Sequence, residues 1–302
     1  MIENYVNKFI ENLPDESKIY REIDLVLDGG IFNGSYLVGA LYFLKEMEKR
    51  KYVKIDRISG CSIGSVAAFS YFIDSLDFMP KLYEIVNQEF KTKYTLSSIK
   101  NLKLILQDRI PPDICSKVNN RFFICYHDIK KRKKIVKSRF NNVDEILESI
   151  IRSCYIPLLV DNKPLYKNKY IDGIIPYIFK KEAHKKILHM ELFSYDKFIN
   201  SINIKNEKSN FHRILSGLLD IHCFYIKKSG TPMCSYVEDW NIINKCKYKI
   251  KVLIETIILY TVYLIFYIKK NIPEYIKNNF ITKLASRIIF DVFVITLENY
   301  CL

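Results

Sequence analysis

The chain has 302 residues, 49% of them apolar and 14% aromatic, which is enough to bury a sizeable core and too apolar for wholesale disorder. Its 47 Lys and Arg against 33 Asp and Glu give a formal net charge of +14, favouring anionic partners, nucleic acid or acidic lipid headgroups, without choosing between them. The eight cysteines form no C-x-x-C pair and no close Cys/His spacing, which argues against a structural zinc site.

The abundance of Ile, Lys, Asn and Tyr also reads as the product of an AT-rich genome, so part of the positive charge is discounted as a partner signal. The opening MIENYVNKFIENLPDESK lacks a basic start followed by a continuous apolar stretch. It therefore reads as no signal peptide, and the free thiols fit a reducing, cytosolic setting. Ile2, Tyr5, Val6, Phe9, Ile10 and Leu13 recur near helical spacing up to Pro14, which predicts a short surface helix in an N-terminal extension over 1–21.

Ile23 to Leu27 reads as a buried strand ended by Asp28-Gly29-Gly30, and the apolar residues from Tyr36 to Met47 return to helical period over 34–49. A second strand over 53–58 leads to Gly60-Cys61-Ser62-Ile63-Gly64, followed by an apolar helix over 66–73. Two successive strand, glycine-turn, helix units predict a mainly parallel sheet covered by helices. Helices are expected at 78–93 and 97–107, and a hairpin from strands 121–127 and 134–140 around the basic turn Lys130-Lys131-Arg132-Lys133. That turn reads as a solvated tip or as a contact with phosphate groups.

A helix over 143–154 precedes Pro157, and a strand over 166–171 runs into Asp172-Gly173. Past residue 180 the pattern loosens, with no clear grammar over 189–210. The run Val252–Ile268 is apolar except for Glu255 and its threonines and is bounded by lysines. At about 1.5 Å per residue its length falls short of a hydrocarbon core, so a buried or interfacial helix is favoured over a single span.

Two glycines flank Ser62 in a chain that has only nine. A serine hydroxyl is a weak nucleophile until a base takes its proton and fixed donors receive the charge on the carbonyl oxygen. G-x-S-x-G between strand and helix lifts the serine clear of the backbone, and the helix start at Ile63-Gly64 aims an amide and a positive dipole end at the same place. Asp28 to Gly34, at the end of the first strand, can supply further amides as an anion-binding nest. It lacks the G-K-[ST] and G-x-G-x-x-G patterns of nucleotide loops. For a base, Asp172 follows a strand and precedes Gly173, at a sheet's carboxyl edge, where partial burial raises a carboxylate's pKa. His127, His184, His189, His212 and His222 occupy no such context and read as surface or packing residues.

Together these pieces resemble the patatin-like phospholipases, lipid acyl hydrolases with a Ser-Asp dyad. Gly60-Cys61-Ser62-Ile63-Gly64 matches the family's nucleophile motif, and Asp172-Gly173-Ile174 its Asp-Gly-Gly or Asp-Gly-Ala element, with Ile174 in the small third place. Asp28 to Gly34 corresponds to its D/S-G-G-G-x-R/K-G segment, with Ile31 replacing the third glycine and Asn33 the basic residue. Ile151 to Pro157 is similar to its A-S-x-A-x-P helix end. The resemblance covers about 22–180 and implies a three-layer α/β catalytic domain there, followed by a mostly helical region of unknown role over 181–302.

It further implies Ser62 as nucleophile, Asp172 as proton acceptor, the amides of Gly29, Gly30, Ile31 and Ile63 as oxyanion donors, and no cofactor or metal. The implied substrate is a lipid acyl ester met at an anionic membrane surface on the cytosolic side. Three alternatives stay open. One is a triad in which His184, His189, His212 or His222 follows Asp172. Another is a weakly active or inactive membrane-binding scaffold in which Ile31 and Asn33 spoil the oxyanion site. Nucleic-acid binding ranks last, because no interleaving of aromatic and basic residues accompanies the charge.

Overall fold

The computed structural model describes residues 2–193, 203–204 and 207–271, with 273, 279–280, 284, 287–288, 291–292 and 295 beyond them. The expected C-terminal region past residue 271 therefore lies largely outside the described residues.

Two glycine-turn units open the sheet. β1 (Arg21–Leu27) leads into α2 (Gly34–Lys49), and β2 (Val53–Cys61) leads into α3 (Ile63–Phe72), with β1 and β2 parallel and Leu27 opposite Gly60. β3 (Phe122–Asp128) adds parallel to β2, and β6 (Lys186–Met190) parallel to the other side of β1. Antiparallel strands close both edges: β4 (Lys133–Lys137) on β3 and β7 (Cys234–Tyr236) on β6. The order is β4-β3-β2-β1-β6-β7, and the short β5 (Tyr170–Asp172) pairs with β3 off this path.

Alternation along the strands sorts the two faces. Ile23, Leu25, Leu27, Ile58, Phe122, Ile124, Leu188 and Met190 enter the main core, under a helical layer. In that layer α2 is buried on nearly every side, because α8 (Phe211–Lys227) crosses its outer surface. The crossing is a backbone contact: a Cβ on Gly39 would lie 1.9 Å from the Ile214 carbonyl oxygen, and one on Gly217 1.9 Å from that of Tyr36. α1 (Ile2–Glu11) tucks beside α2 and α8 and buries Val6 and Ile10. Its other residues are exposed or half-buried, so it is a surface helix packed on the core by one face.

The second face of the sheet shows Val26 and Ile187 packed under Phe179, with Phe123 and Tyr177 alongside. It also carries Asp28, Cys61, Cys125, His127 and His189, and α9 (Ile242–Asn271) touches it through Lys251 and Glu255. Helices, sheet and this second cover make three layers.

Several boundaries differ from those expected. α3 begins directly after Ser62, and α4 (Met79–Lys93) follows as anticipated, whereas 97–107 divides into a 3-10 turn, Ser97–Asn101, and α5 (Leu102–Leu106). α6 (Ile114–Val118) adds a short turn of helix, and α7 (Val143–Ser153) is capped by Asn142, whose side chain accepts from the Glu145 amide. The strand expected over 166–171 shrinks to Tyr170–Asp172, because Tyr166 folds back to bridge Tyr170 through Lys167 and Asn168, both at positive φ. Past residue 180 the sheet continues, with β6 against β1 at its centre, so that position marks no edge of the sheet. β6 escaped notice because its polar members, Lys186 and His189, lie among loop-like residues and only five residues are extended.

Candidate active site

The turn after β2 explains its glycines. Ser62 adopts φ 50° and ψ −131°, a region that costs a non-glycine residue about 1–3 kcal/mol and is held only by its surroundings. Ser153, at the end of α7, accepts from the Ser62 amide at 2.9 Å and donates to the Cys125 carbonyl at 2.6 Å. A Cβ on Gly64 would stand 2.5 Å from the Leu27 carbonyl oxygen, and one on Gly60 would stand 2.7 Å from Gly64 backbone. The two glycines let α3 start against the end of β1.

Asp172 reaches Ser62 through the sheet. β2 ends with Cys61 opposite Cys125 of β3, and β5 runs antiparallel along the same edge of β3 to set Asp172 opposite Tyr126. Because Cys125 and Tyr126 are neighbours, the two strand ends meet nose to nose. The Ser62 hydroxyl faces the Asp172 carboxylate closely enough to favour its charged form, and the carboxylate accepts from the Ile174 amide at 2.9 Å. Ser62 and Asp172 are both buried, at 7% and 9% exposure. Burial pushes the Asp172 carboxyl up to about 6, with the nearby Ser62 hydroxyl and the Ile174 amide opposing and the Glu255 charge adding to the rise. A carboxyl poised there is ionised at neutral pH yet basic enough to take a proton.

The glycine loop after β1 passes directly beneath the serine: a Cβ on Gly29 would come within 3.0 Å of the Ser62 Cβ. A Cβ on Gly34 would overlap Ile63, so the N-termini of α2 and α3 converge at one point, with two positive dipole ends. Ile31 holds the left-handed conformation, at φ 44°, that a glycine would adopt without strain. The loop's shape thus survives the replacement. Gly29 departs from the expectation: its amide donates to the Cys61 sulfur at 3.1 Å and so is turned to β2, leaving Gly30, Ile31 and Ile63 of the four expected donors.

Asn33, in place of a basic residue, is fully buried; its Nδ2 donates to the Leu192 carbonyl at 3.1 Å and its Oδ1 accepts from Arg213 of α8 at 2.7 Å. A guanidinium 1% exposed therefore stands one hydrogen bond from the loop, paired on its other side with Glu207. Asp28, just before the loop, is buried between His189 at 3.1 Å and Lys251 at 3.3 Å. Burial alone would raise its pKa, but His189 and Lys251 outweigh it and hold the carboxyl down at about 2.

Ser62 opens into a cavity of about 60 Å³ walled by apolar side chains of α3 and α4 and by Phe32, Leu96, Ile99 and Leu102. Ile31 and Ile63 border the same space. No histidine lines it. His189 is bonded to Asp28, His127 to Glu255, His222 is stacked on Phe9, and His184 and His212 are more than half exposed beside glutamates. None of the five is placed to complete a triad with Ser62. Among the described residues no group of three or more His, Cys, Asp or Glu side chains is arranged to hold a metal ion.

Sequence reasoning missed five residues here. Cys61 and Ser153 stand inside motifs whose other members drew attention, and Arg213 and Lys251 lie among ordinary helix residues. Glu255 did leave a signal, being the only charged residue between Lys251 and Lys269.

α9 extends ten residues further toward the N-terminus than the apolar run expected at 252–268, so Ile242–Ile268 is long and apolar enough to cross a membrane by length and composition. Its inner stripe is Tyr248, Lys251, Glu255, Leu259, Val262, Tyr263 and Phe266. The outer face exposes Ile250, Leu253, Ile254, Ile257, Leu264, Ile265 and Ile268. Over 250–268 charge points in and aliphatic carbon out, the reverse of a water-facing helix. The hairpin tip meets the inner stripe through Arg132, whose guanidinium lies over the Tyr263 ring at 3.9 Å.

The family model for patatin-like phospholipases matches residues 25–175, half of the chain. The chain is also 26% identical over 163 residues to a mouse (Mus musculus) protein named 1-acylglycerol-3-phosphate O-acyltransferase Pnpla3, a match that covers 51% of this chain and 39% of that relative. The chain therefore spans well under two thirds of the curated relative it matches. It belongs to the patatin-like phospholipase family, whose members act on lipid acyl groups.

Proposed function

We propose that this member of the family is a lipid acyl-ester hydrolase working through Ser62 and Asp172. The observation that carries the reading is the end-to-end meeting of β2 and β5, which sets a strained serine against a buried carboxylate at the mouth of an apolar cavity. Ser62 Oγ attacks the ester carbonyl while its proton passes to Asp172, and the amides of Gly30, Ile31 and Ile63 receive the oxyanion. Collapse expels the alcohol, which takes the proton back from Asp172. Water then attacks the acyl-serine with Asp172 again as base, releasing the fatty acid and restoring Ser62. The apolar cavity takes the carbons of the acyl chain next to the carbonyl.

The outer face of α9 supports docking on an anionic bilayer with the helix lying in the interface, its aliphatic side chains among the lipids and the exposed Lys245, Lys247 and Lys249 near headgroups. A spanning orientation would require pulling Lys251 and Glu255 out of their ion pairs. The name of the mouse relative favours a second reading of the same acyl-serine, in which an alcohol rather than water takes the acyl group.

The test is release of fatty acid from phosphatidylcholine/phosphatidylserine vesicles by purified protein, with a lysophospholipid added as a competing acceptor. Free acid from the native chain, lost in both Ser62→Ala and Asp172→Asn, supports hydrolysis; acyl transfer to the lysolipid in its place supports the second reading. Undiminished release by both variants refutes the dyad.

A further inference from the structure

Lys251 and Glu255 stand one turn apart on the inner stripe of α9 and reach the two halves of the site. Lys251 bonds to Asp28 at 3.3 Å and to Glu191 at 2.5 Å, at the root of the glycine loop. Glu255 goes to the other half. It is 6% exposed, and its Oε1 takes His127 Nε2 at 3.1 Å, Lys134 Nζ at 3.0 Å and the Ile175 amide at 3.3 Å. Ile175 ends the turn that begins at Asp172, and its amide also approaches the Gly173 carbonyl at 2.6 Å.

A carboxylate is a costly choice for mere attachment, because removing it from water is repaid only by good partners. Further along the helix Leu259, Val262 and Phe266 achieve attachment with carbon alone. What Glu255 adds is an acceptor for a backbone amide of the Asp172 turn and a negative charge beside the Asp172 carboxylate.

We infer that Glu255 is a positioning residue for the reaction: from the membrane-facing helix it fixes the Asp172–Ile175 turn so that the carboxylate stays in register with the Ser62 hydroxyl. The inference rests on the reading of Ser62 and Asp172 as the reacting pair. The groups facing Asp172 are the Ser62 hydroxyl, the thiols of Cys61 on β2 and Cys154 after α7, and Glu255 on α9. Those facing Glu255 are His127 and Cys125 of β3, Lys134 of β4 and Tyr248 of its own helix. Since the thiols are neutral, Glu255 is the full negative charge among the described residues that raises Asp172, so its neutralisation moves the Asp172 titration to lower pH.

The experiment uses the full chain and a soluble fluorogenic butyrate ester, which removes membrane docking from the kinetics, with binding to phosphatidylserine-containing vesicles measured in parallel. Glu255→Gln keeps an acceptor and loses the charge. It is expected to lower kcat about tenfold at unchanged KM, shift the acid limb of the pH–rate profile downward, and leave vesicle binding intact. Glu255→Leu, which also strips the acceptor from the Ile175 amide, is expected to lower kcat roughly a hundredfold. Wild-type kcat with an unmoved acid limb in Glu255→Gln overturns the inference. So does a loss of kcat with an unmoved limb that tracks loss of vesicle binding, since Glu255 then only attaches the helix. Asp172→Asn separates the two levels: if it stays active the dyad itself fails, and if it is inactive while Glu255→Gln behaves as wild type, this inference alone fails.

Discussion

The amide of Gly29 donates to the sulfur of Cys61 across 3.1 Å, and the same thiol donates to the Ile174 carbonyl at 3.3 Å. A single buried side chain, one residue before Ser62, thereby ties the glycine loop to the Asp172 turn. Burial pushes its thiol well above the ordinary range, so it remains protonated and able to donate. Cys61→Ala removes both bonds and leaves a small void. The expected result is a loss of about 1–3 kcal/mol in urea unfolding and a lower kcat, while the native protein resists iodoacetamide at Cys61.

The Asp172 carboxyl, raised by burial to about 6, predicts opposite effects on activity and stability. As a base it must be ionised, so the soluble-ester rate rises through an apparent pKa near 6. For folding, a group whose native pKa lies above its unfolded value favours the fold only below the unfolded value, and that contribution is lost as pH rises through the native one. Asp172→Asn should therefore melt higher than wild type above pH 6 and lose this advantage as pH falls toward 4. Thermal unfolding at the two pH values checks both the sign and the window.

Asp28 has the reverse sign. His189 and Lys251 hold it near 2 against its burial, so its contribution of about 2 kcal/mol is complete above the unfolded carboxylate pKa and drains away as pH falls from about 4 toward 2. Lys251→Met should reduce stability at neutral pH, and its deficit relative to wild type should shrink in acid as Asp28 becomes protonated. A constant deficit from pH 7 to pH 3 would show that Lys251 stabilises by packing alone.

The site was legible where backbone geometry demands particular residues. Gly60 and Gly64 are fixed by contacts that a methyl group would violate, so the G-x-S-x-G spacing announced both the turn and the helix after it. Asp172 was readable because a strand, an acid and a glycine fall together in sequence. What stayed hidden is carried by residues distant in sequence with no local signature: β6 is a five-residue strand inside the sheet, between β1 and β7, and Arg213 reaches Asn33 from a helix 180 positions away. The amide of Gly29 could not be assigned a direction from its glycine neighbours, because the thiol that accepts it lies on another strand. The apolar run at 252–268 was visible, but the inward aim of Glu255 depends on how the helix is rotated against the sheet.

The outer face of α9 predicts a separation of functions. Ile254→Glu and Ile257→Glu, both on exposed positions, should abolish sedimentation with phosphatidylserine vesicles and leave hydrolysis of the soluble ester unchanged. Native binding should weaken with added salt if the neighbouring lysines contribute. A native chain that stays in solution with vesicles and elutes as a dimer would assign this face to a second copy instead.

Arg213 predicts a stability effect without a substitution in the loop. Arg213→Met removes the guanidinium from which the Asn33 oxygen accepts and with which Glu207 pairs, and the expected loss is about 3 kcal/mol, read as a lower denaturant midpoint. Arg213→Lys keeps the charge but not the fork that bridges both groups, and should recover only part of the loss.

The most direct measurement of the central claim is the rate at which a fluorophosphonate labels the native chain as a function of pH, with the modified residue identified by mass spectrometry. The account predicts a single adduct on Ser62, forming at a rate that rises through pH 6 and falls at least a hundredfold in Asp172→Asn. An adduct on another serine, or labelling of Ser62 at the native rate in Asp172→Asn, contradicts it.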